Sequence, residues 1–281
     1  MQQFSLCFDR VKKDCIKFIN SQETKADKFK NKEKMIKSFL IPVCFWINKK
    51  AIKKRPFFFG LAGGQGAGKT TISSLIKIIL IKYFKLKVFR ISIDDFYKTR
   101  KERINLSKRI HPMLLTRGVP GTHNINMILS FFKKVKSNKF KKISLPTFNK
   151  AVDDRFNKKF WYELKNKPDV IIFEGWCVGA KPQKNRELKK PLNSLEKTYD
   201  RNIKWRKYVN NQLKTKYKLL FRQLDGLLYL KAKNFNLLKN WRLKQERKLW
   251  EKNKNKKNLK IMNTVDVLNF MQTYQRITQQ M

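Results

Sequence analysis

The sequence predicts an α/β fold, a parallel sheet flanked by helices on both faces, and three observations carry that prediction. The first is Gly63-Gly64-Gln65-Gly66-Ala67-Gly68-Lys69-Thr70, which fits the phosphate-loop pattern G-x-x-x-x-G-K-[ST]. The second is its setting. Phe57 to Ala62 ahead of it is an apolar run that reads as a buried strand, and Thr71 to Phe84 behind it has helical spacing at Ile72, Leu75, Ile76, Ile79 and Leu80. The third is a pair of further strand-like runs that end in acids. Val88 to Ile93 leads into Asp94 and Asp95, and Asp169 to Phe173 leads into Glu174 and Gly175.

The chemistry of the loop follows from its composition. Glycines let backbone N–H groups crowd around a polyphosphate, and the helix N-terminus adds partial positive charge. Lys69 is placed to reach the outer phosphates of a nucleotide and the Thr70 hydroxyl to bind Mg²⁺. Ligands of parallel sheets gather outside the carboxyl ends of strands. The pair Asp94-Asp95 is therefore a candidate base or metal ligand; a helix cap is the competing explanation, but a cap needs one aspartate and two are present. Glu174 stands where phosphate-loop proteins place a second Mg²⁺ anchor, usually Asp; the alternative is an exposed loop glutamate.

The remaining segments are read in chain order. Residues 1–55 are expected to form an N-terminal helical extension, with helical spacing at Phe4, Cys7, Phe8 and Val11, a polar helix or linker over Ser21 to Lys37, and a short helix over Phe39 to Trp46 packed on the sheet. Residues 56–281 form the phosphate-loop domain. Arg109 to Asn124 holds both histidines of the chain, two prolines and two glycines, which is loop chemistry. Its Arg117 can grip a carboxylate or phosphate, although a purely structural connection explains the composition equally well. Ile125 to Val135 reads as an amphipathic helix, Ile143 to Leu145 as a short strand, and Asn149 to Arg155 as a charged surface loop. Val178 to Leu195 reads as a polar connection, Trp205 to Phe221 as a helix, and Leu224 to Leu230 as another buried strand. Asn236 to Lys252 is a basic helix whose Arg242 and Glu246 share a face, by itself best read as solvated. Asn253 to Lys260 reads as a linker, and Thr264 to Ile277 as a last helix with Val265, Leu268, Met271 and Tyr274 on one side.

Composition narrows the class. Against 67 Lys and Arg stand 20 Asp and Glu, a net charge of +47 over 281 residues. A nucleic-acid binder is one explanation. Compositional drift is the favoured one, because the lysines are scattered through every segment and Asn, Ile and Phe, which share A/T-rich codons, are abundant with them. No specific nucleic-acid partner is expected, though such a surface binds polyanions non-specifically. The four cysteines form no C-x-x-C pair and only two histidines are present, so no zinc site is expected. The chain reads as a reduced cytoplasmic protein without signal peptide or membrane span.

Taken together, the segments resemble the D-glycerate 3-kinase family, relatives of uridine kinase, pantothenate kinase and phosphoribulokinase. The resemblance runs from about Leu40 to the C-terminus. It is carried by G-G-Q-G-A-G-K-T-T, S-I-D-D-F-Y, H-P-M-L-L-T-R-G-V-P-G-T-H, L-P-T-F-N-K-A-V-D-D-R, F-E-G-W-C-V-G-A, the P-L-N-S-L-E to Y-V-N-N-Q-L block and W-R-L-K-Q-E. The resemblance implies a phosphate-loop NTPase kinase fold with a helical lid at about 235–255, and ATP and Mg²⁺ as its reaction partners. It implies Asp94 as general base, Lys69 on the transferred phosphoryl, and ATP held by Gly63 to Thr71 with Arg242 and Arg247 of the lid. It further implies Mg²⁺ at Thr70 and Glu174, and His111, Arg117, His123 and Arg155 near the acceptor. Two departures stand out: the family usually has Asp where this chain has Asn149, and often where it has Asn124.

The expected activity is ATP-dependent phosphorylation of a small hydroxy acid, D-glycerate to 3-phosphoglycerate. A second hypothesis changes the acceptor to pantothenate, a nucleoside or a sugar phosphate. A third is a nucleotide-gated polyanion binder without kinase activity, against which the presence of Lys69, Thr70, Asp94 and Glu174 argues.

Overall fold

The structure is a computed structural model that describes residues 2–24, 27–252 and 262–281. The linker expected over Asn253 to Lys260 lies outside the described residues. The chain runs through α1 (Gln2–Ser21), α2 (Ile41–Lys53), β1 (Phe57–Gly63), α3 (Lys69–Lys82), β2 (Val88–Ser92), α4 (Arg100–Arg109), α5 (Ile125–Lys136), β3 (Ile143–Leu145), β4 (Phe148–Asn149), β5 (Asp154–Arg155), β6 (Tyr162–Leu164), β7 (Val170–Gly175), α6 (Lys204–Gln212), β8 (Gly226–Leu230), α7 (Phe235–Lys252) and α8 (Thr264–Gln280), with shorter helical turns between them.

Four of these strands make one parallel sheet in the order β2-β7-β1-β8. Alternate side chains of a strand face opposite sides, and both sides are apolar here. Phe58, Ala62, Phe89, Ile91, Ile171 and Phe173 join α5 and α6 in one core. Phe57, Phe59, Leu61, Val88, Val170 and Ile172 join α1, α2 and α3 in the other. The N-terminal helices thus share a core with the sheet: Cys7, Val11, Cys15 and Ile19 of α1 are fully buried. Burial pushes the Cys7 thiol up to about 11, and Cys15, in the same core, up to about 12.

Two elements differ from expectation for identifiable reasons, and α4 forms where none was predicted. β8 was expected to be buried, yet Leu227 is 47% exposed, because β8 pairs with β1 alone and lies at the sheet edge. In α8 the buried stripe is Val267, Met271, Tyr274 and Ile277, while Val265 is exposed. Both candidate stripes have helical period and share Met271 and Tyr274, so spacing alone does not choose between them. Helix α4 has no apolar stripe. It forms on the capping box of Thr99 and Glu102 and buries Arg103 completely. Among the described residues no helix is long and apolar enough to cross a membrane.

Candidate active site

Register brings the functional strand ends together. Glu174 of β7 lies opposite Leu61 of β1 on one side and Ser92 of β2 on the other. The glycine loop leaves β1 just beyond Leu61, and Asp94 follows Ser92. Gly66 and Gly68 adopt φ of 78° and 82°, the left-handed conformation that glycine tolerates. A Cβ on Gly66 would lie 2.7 Å from Trp241 Cβ and 3.2 Å from the Arg242 amide, so α7 rests directly on the loop. Lys69 curls back over it and donates to Gly64 O at 2.8 Å. Burial lowers the Lys69 pKa, and Asp94 and Glu174 are both near enough to oppose that shift.

The two aspartates after β2 divide the work. Ser92 Oγ accepts from the Asp94 amide and Asp95 Oδ2 accepts from the Ser92 amide, both at 3.2 Å, closing a capping box. Burial pushes Asp95 up to about 6. The cap occupies Asp95 and frees the Asp94 carboxylate. Asp94 Oδ1 accepts from the Tyr97 hydroxyl at 3.0 Å and Oδ2 from Lys150 Nζ at 2.9 Å. Burial opposes its ionisation, but the Lys150 ammonium outweighs burial and holds Asp94 at about 2.

Glu174 is 6% exposed, and burial raises its pKa against the pull of Arg90 and Lys69. Its hydrogen bonds are long: Thr70 Oγ1 to Oε1 and Ser73 Oγ to Oε2, each 3.4 Å. A buried carboxylate beside a hydroxyl, neither tightly engaged, is a donor set that suits Mg²⁺. That ion takes one or two protein oxygens and fills its remaining positions with phosphate and water. Among the described residues no cluster of three acids, histidines or cysteines competes for a metal.

The segments expected near the acceptor are assembled by a clamp. Asn149 Oδ1 accepts from the amides of Ala151 and Val152 at 3.0 and 3.4 Å, turning the β4–β5 hairpin. Asp153 adopts φ 59° and is gripped from two sides. The Arg103 guanidinium, 0% exposed, donates to Asp153 O at 2.5 Å, Leu115 O at 2.6 Å and Lys98 O at 3.2 Å, and pairs with the Asp153 carboxylate at 3.0 Å. Arg117 pairs with the same carboxylate and stacks over the Phe148 ring. Arg155 donates to Tyr97 O at 2.8 Å and faces Glu102.

His123 is 2% exposed, stacks on Tyr97 with centroids 4.4 Å apart, and places Nδ1 2.6 Å from the Tyr217 hydroxyl. That hydroxyl also accepts from the Gly121 amide at 2.9 Å. His123 Nε2 is buried without a hydrogen-bond partner among the described residues. Burial pulls the imidazole pKa down to about 4, so it is neutral at physiological pH.

Of the residues expected near the acceptor, His123 therefore lies beside Asp94 through Tyr97, while Arg117 and Arg155 hold the hairpin in place. His111 lies apart: its Nδ1 accepts from the Met113 amide and its Nε2 is 3.0 Å from Tyr199 O. In α7, Arg242 is buried and paired with Glu246 at 2.5 Å, and Arg247 is exposed. Asn124 Oδ1 accepts from the Met127 amide as the cap of α5. Both departures from the family pattern thus keep the side-chain oxygen that an aspartate would have used. Lys150 was passed over as part of a surface loop. Its contact with Asp94 depends on the hairpin, which local sequence does not reveal.

No family model matches the chain. The chain is 30% identical over 203 residues to a fission yeast (Schizosaccharomyces pombe) protein described as uncharacterized kinase mug58, covering 69% of this chain and 72% of that protein. It is 28% identical over 199 residues to the chloroplastic D-glycerate 3-kinase of Arabidopsis thaliana, covering 68% of this chain but 41% of the plant enzyme. Its fold matches the solved structure of D-glycerate 3-kinase from Cryptococcus neoformans with a TM-score of 0.72 at 23% identity, over 86% of this chain and 87% of that one. With the phosphate loop at the centre of a four-stranded parallel sheet, these likenesses establish that the chain is a kinase and belongs to the family of phosphate-loop kinases that includes the D-glycerate 3-kinases.

Proposed function

We propose that the chain transfers the γ-phosphoryl group of ATP to a hydroxyl of a small hydroxy acid, converting D-glycerate to 3-phosphoglycerate. The observation that carries this reading is the meeting of Lys69, Asp94 and Glu174 at adjoining strand ends. The loop amides and Lys69 cradle the outer phosphates and spread the charge that develops on the γ-phosphoryl. Asp94, ionised at physiological pH, accepts a hydrogen bond from the acceptor hydroxyl, aims its oxygen in line with the phosphorus and takes its proton. The new O–P bond forms as the bond to the β-phosphate bridging oxygen breaks, and ADP leaves. Thr70 and Glu174 would hold Mg²⁺, which would supply charge neutralisation for the phosphates. Helix α7 lies over the loop, where Arg242 and Arg247 belong to an element able to exclude water from ATP.

The Arabidopsis D-glycerate 3-kinase matches 68% of this chain, against 49% for a pantothenate kinase of Streptococcus suis, which supports D-glycerate as acceptor. An ADP-release screen across D-glycerate, pantothenate, nucleosides and sugar phosphates tests the assignment, with D-glycerate expected to give the highest kcat/KM. Lys69→Ala is expected to abolish turnover, and Asp94→Asn to lower kcat by about 100-fold or more, the usual range for a lost general base. A near-normal rate for Asp94→Asn would remove the base assignment.

A further inference from the structure

We propose that Lys150 reads the negative charge of the acceptor, and that its ammonium, bonded to Asp94 Oδ2, sits at the place on Asp94 that the acceptor hydroxyl takes. The inference rests on Asp94 being the base for an acidic acceptor. Asp94 has two carboxylate oxygens, one engaged by Tyr97 and the other by Lys150 Nζ at 2.9 Å. Tyr97 is buried and stacked on His123, so its hydroxyl is fixed. The Lys150 side chain is 62% exposed on a flexible stem, and Asp94 is its one described polar partner. Lys150 is therefore the group an incoming hydroxyl displaces.

The neighbouring cations have other partners: Lys69 donates to Gly64 O and Lys98 faces Glu102. Arg103 and Arg117 hold Asp153, Arg155 holds Tyr97 O, and His123 is neutral. Lys150 is left as the mobile cation of the hairpin. The backbone beneath it is pinned by the Asn149 turn and by Arg117 donating to Lys150 O at 3.4 Å, so the ammonium swings from a fixed root. Displaced from Asp94, it remains within about one small-molecule length of the base. A carboxylate on the acceptor restores its ion pair there. A neutral acceptor takes the place on Asp94 and returns nothing, leaving the ammonium without its partner. Discrimination then comes from this exchange, and the unfavourable outcome for the wrong substrate is as important as the favourable one for the right substrate.

The test compares D-glycerate with its neutral amide, D-glyceramide, on the unaltered enzyme, Lys150→Met and Lys150→Arg. A charge-assisted hydrogen bond predicts that Lys150→Met lowers kcat/KM for D-glycerate by roughly 30-fold, mostly through KM, while the value for D-glyceramide changes less than about threefold. Lys150→Arg is expected to restore most of the preference. The KM for ATP serves as the control for folding and should not move. Equal losses for both acceptors, or no loss for D-glycerate, would overturn the proposal. If the screen returns another anionic acceptor, the D-glycerate assignment fails, and the same variants with that acceptor and its uncharged analogue decide on Lys150. An enzyme that prefers an uncharged acceptor overturns both.

Discussion

Replacing Arg103 by Met tests whether the acceptor side is held by a buried clamp. The guanidinium is 0% exposed, donates to three backbone carbonyls and pairs with the Asp153 carboxylate. Methionine fills a similar volume and removes every donor. Breaking a buried ion pair costs about 3–5 kcal/mol when the remaining charge is stranded. Here Asp153 keeps Arg117 and is 31% exposed, so its charge is not stranded and the cost falls to the lower end, about 3 kcal/mol. Most of that cost is the carbonyls of Lys98, Leu115 and Asp153 losing a donor. Urea unfolding measures it directly. Kinetics give the second readout: the hairpin that carries Lys150 loosens, so the acceptor KM rises while the KM for ATP, bound on the glycine loop, stays within about twofold of its original value, since additivity holds for sites without shared partners. Arg103→Lys is expected to recover only part of the stability, because one ammonium cannot reproduce the planar fork. A loss under about 1 kcal/mol, or equal rises in both KM values, would refute the clamp.

The pH dependence of stability contains two opposed contributions. His123 is lowered from 6.5 to about 4, so the stability it contributes is full above 6.5 and is lost as pH falls towards 4, about 3 kcal/mol in all. Asp95 is raised from 3.8 to about 6, so its contribution is full below 3.8 and is lost as pH rises through 6, also about 3 kcal/mol. The two nearly cancel between pH 6.5 and 4, and Asp95→Asn, which keeps the capping oxygen, should expose a decline of about 3 kcal/mol over that range; a profile parallel to the unaltered protein would refute the pairing. Asn149→Asp and Asn124→Asp preserve the turn and the helix cap, so each should leave kcat/KM within about twofold, the size expected where no contact is lost; a larger change would place either side chain on the substrate. Raising salt from about 50 to 500 mM should weaken binding of a polyanion such as heparin by orders of magnitude and raise the acceptor KM only severalfold, because a partly enclosed pair is screened less.

What the sequence made legible was what is local. The phosphate loop, its flanking strand and helix, and the acid at the end of β7 are patterns within a few residues of one another. The division of labour between Asp94 and Asp95 was also within reach, since Ser92 and Asp95 have capping-box spacing. So was α4, which lacks an apolar stripe but begins with the Thr99 and Glu102 box. Arg117 and Arg155 have the chemistry of anion ligands, but residue type does not say which anion. The anion for Arg117 is the chain's own Asp153, and Arg155 holds a backbone carbonyl instead. Lys150 was hidden because its role needs the hairpin folded back on the end of β2, a contact across 56 positions. The edge position of β8 was hidden for a similar reason: an apolar run does not report whether one neighbour or two will pair with it.

The net charge of +47 invites an electrostatic account of acceptor choice, and the geometry argues against it. Charges more than about 8 Å apart are largely screened at physiological ionic strength, so scattered lysines contribute little to the field at Asp94. What acts there is close and paired: Lys150 on Asp94, Arg90 and Lys69 facing Glu174, Arg103 and Arg117 on Asp153, Arg155 facing Glu102. Each of these four acids meets at least one cation, so the positive charge close to Asp94 is held in pairs in a chain that is strongly basic overall. In such a setting a carboxylate substrate is not drawn by surplus charge. In the proposed exchange its arrival leaves one pair intact where a neutral molecule would break it, and Lys150, whose ammonium pairs with Asp94, is the cation that makes that difference.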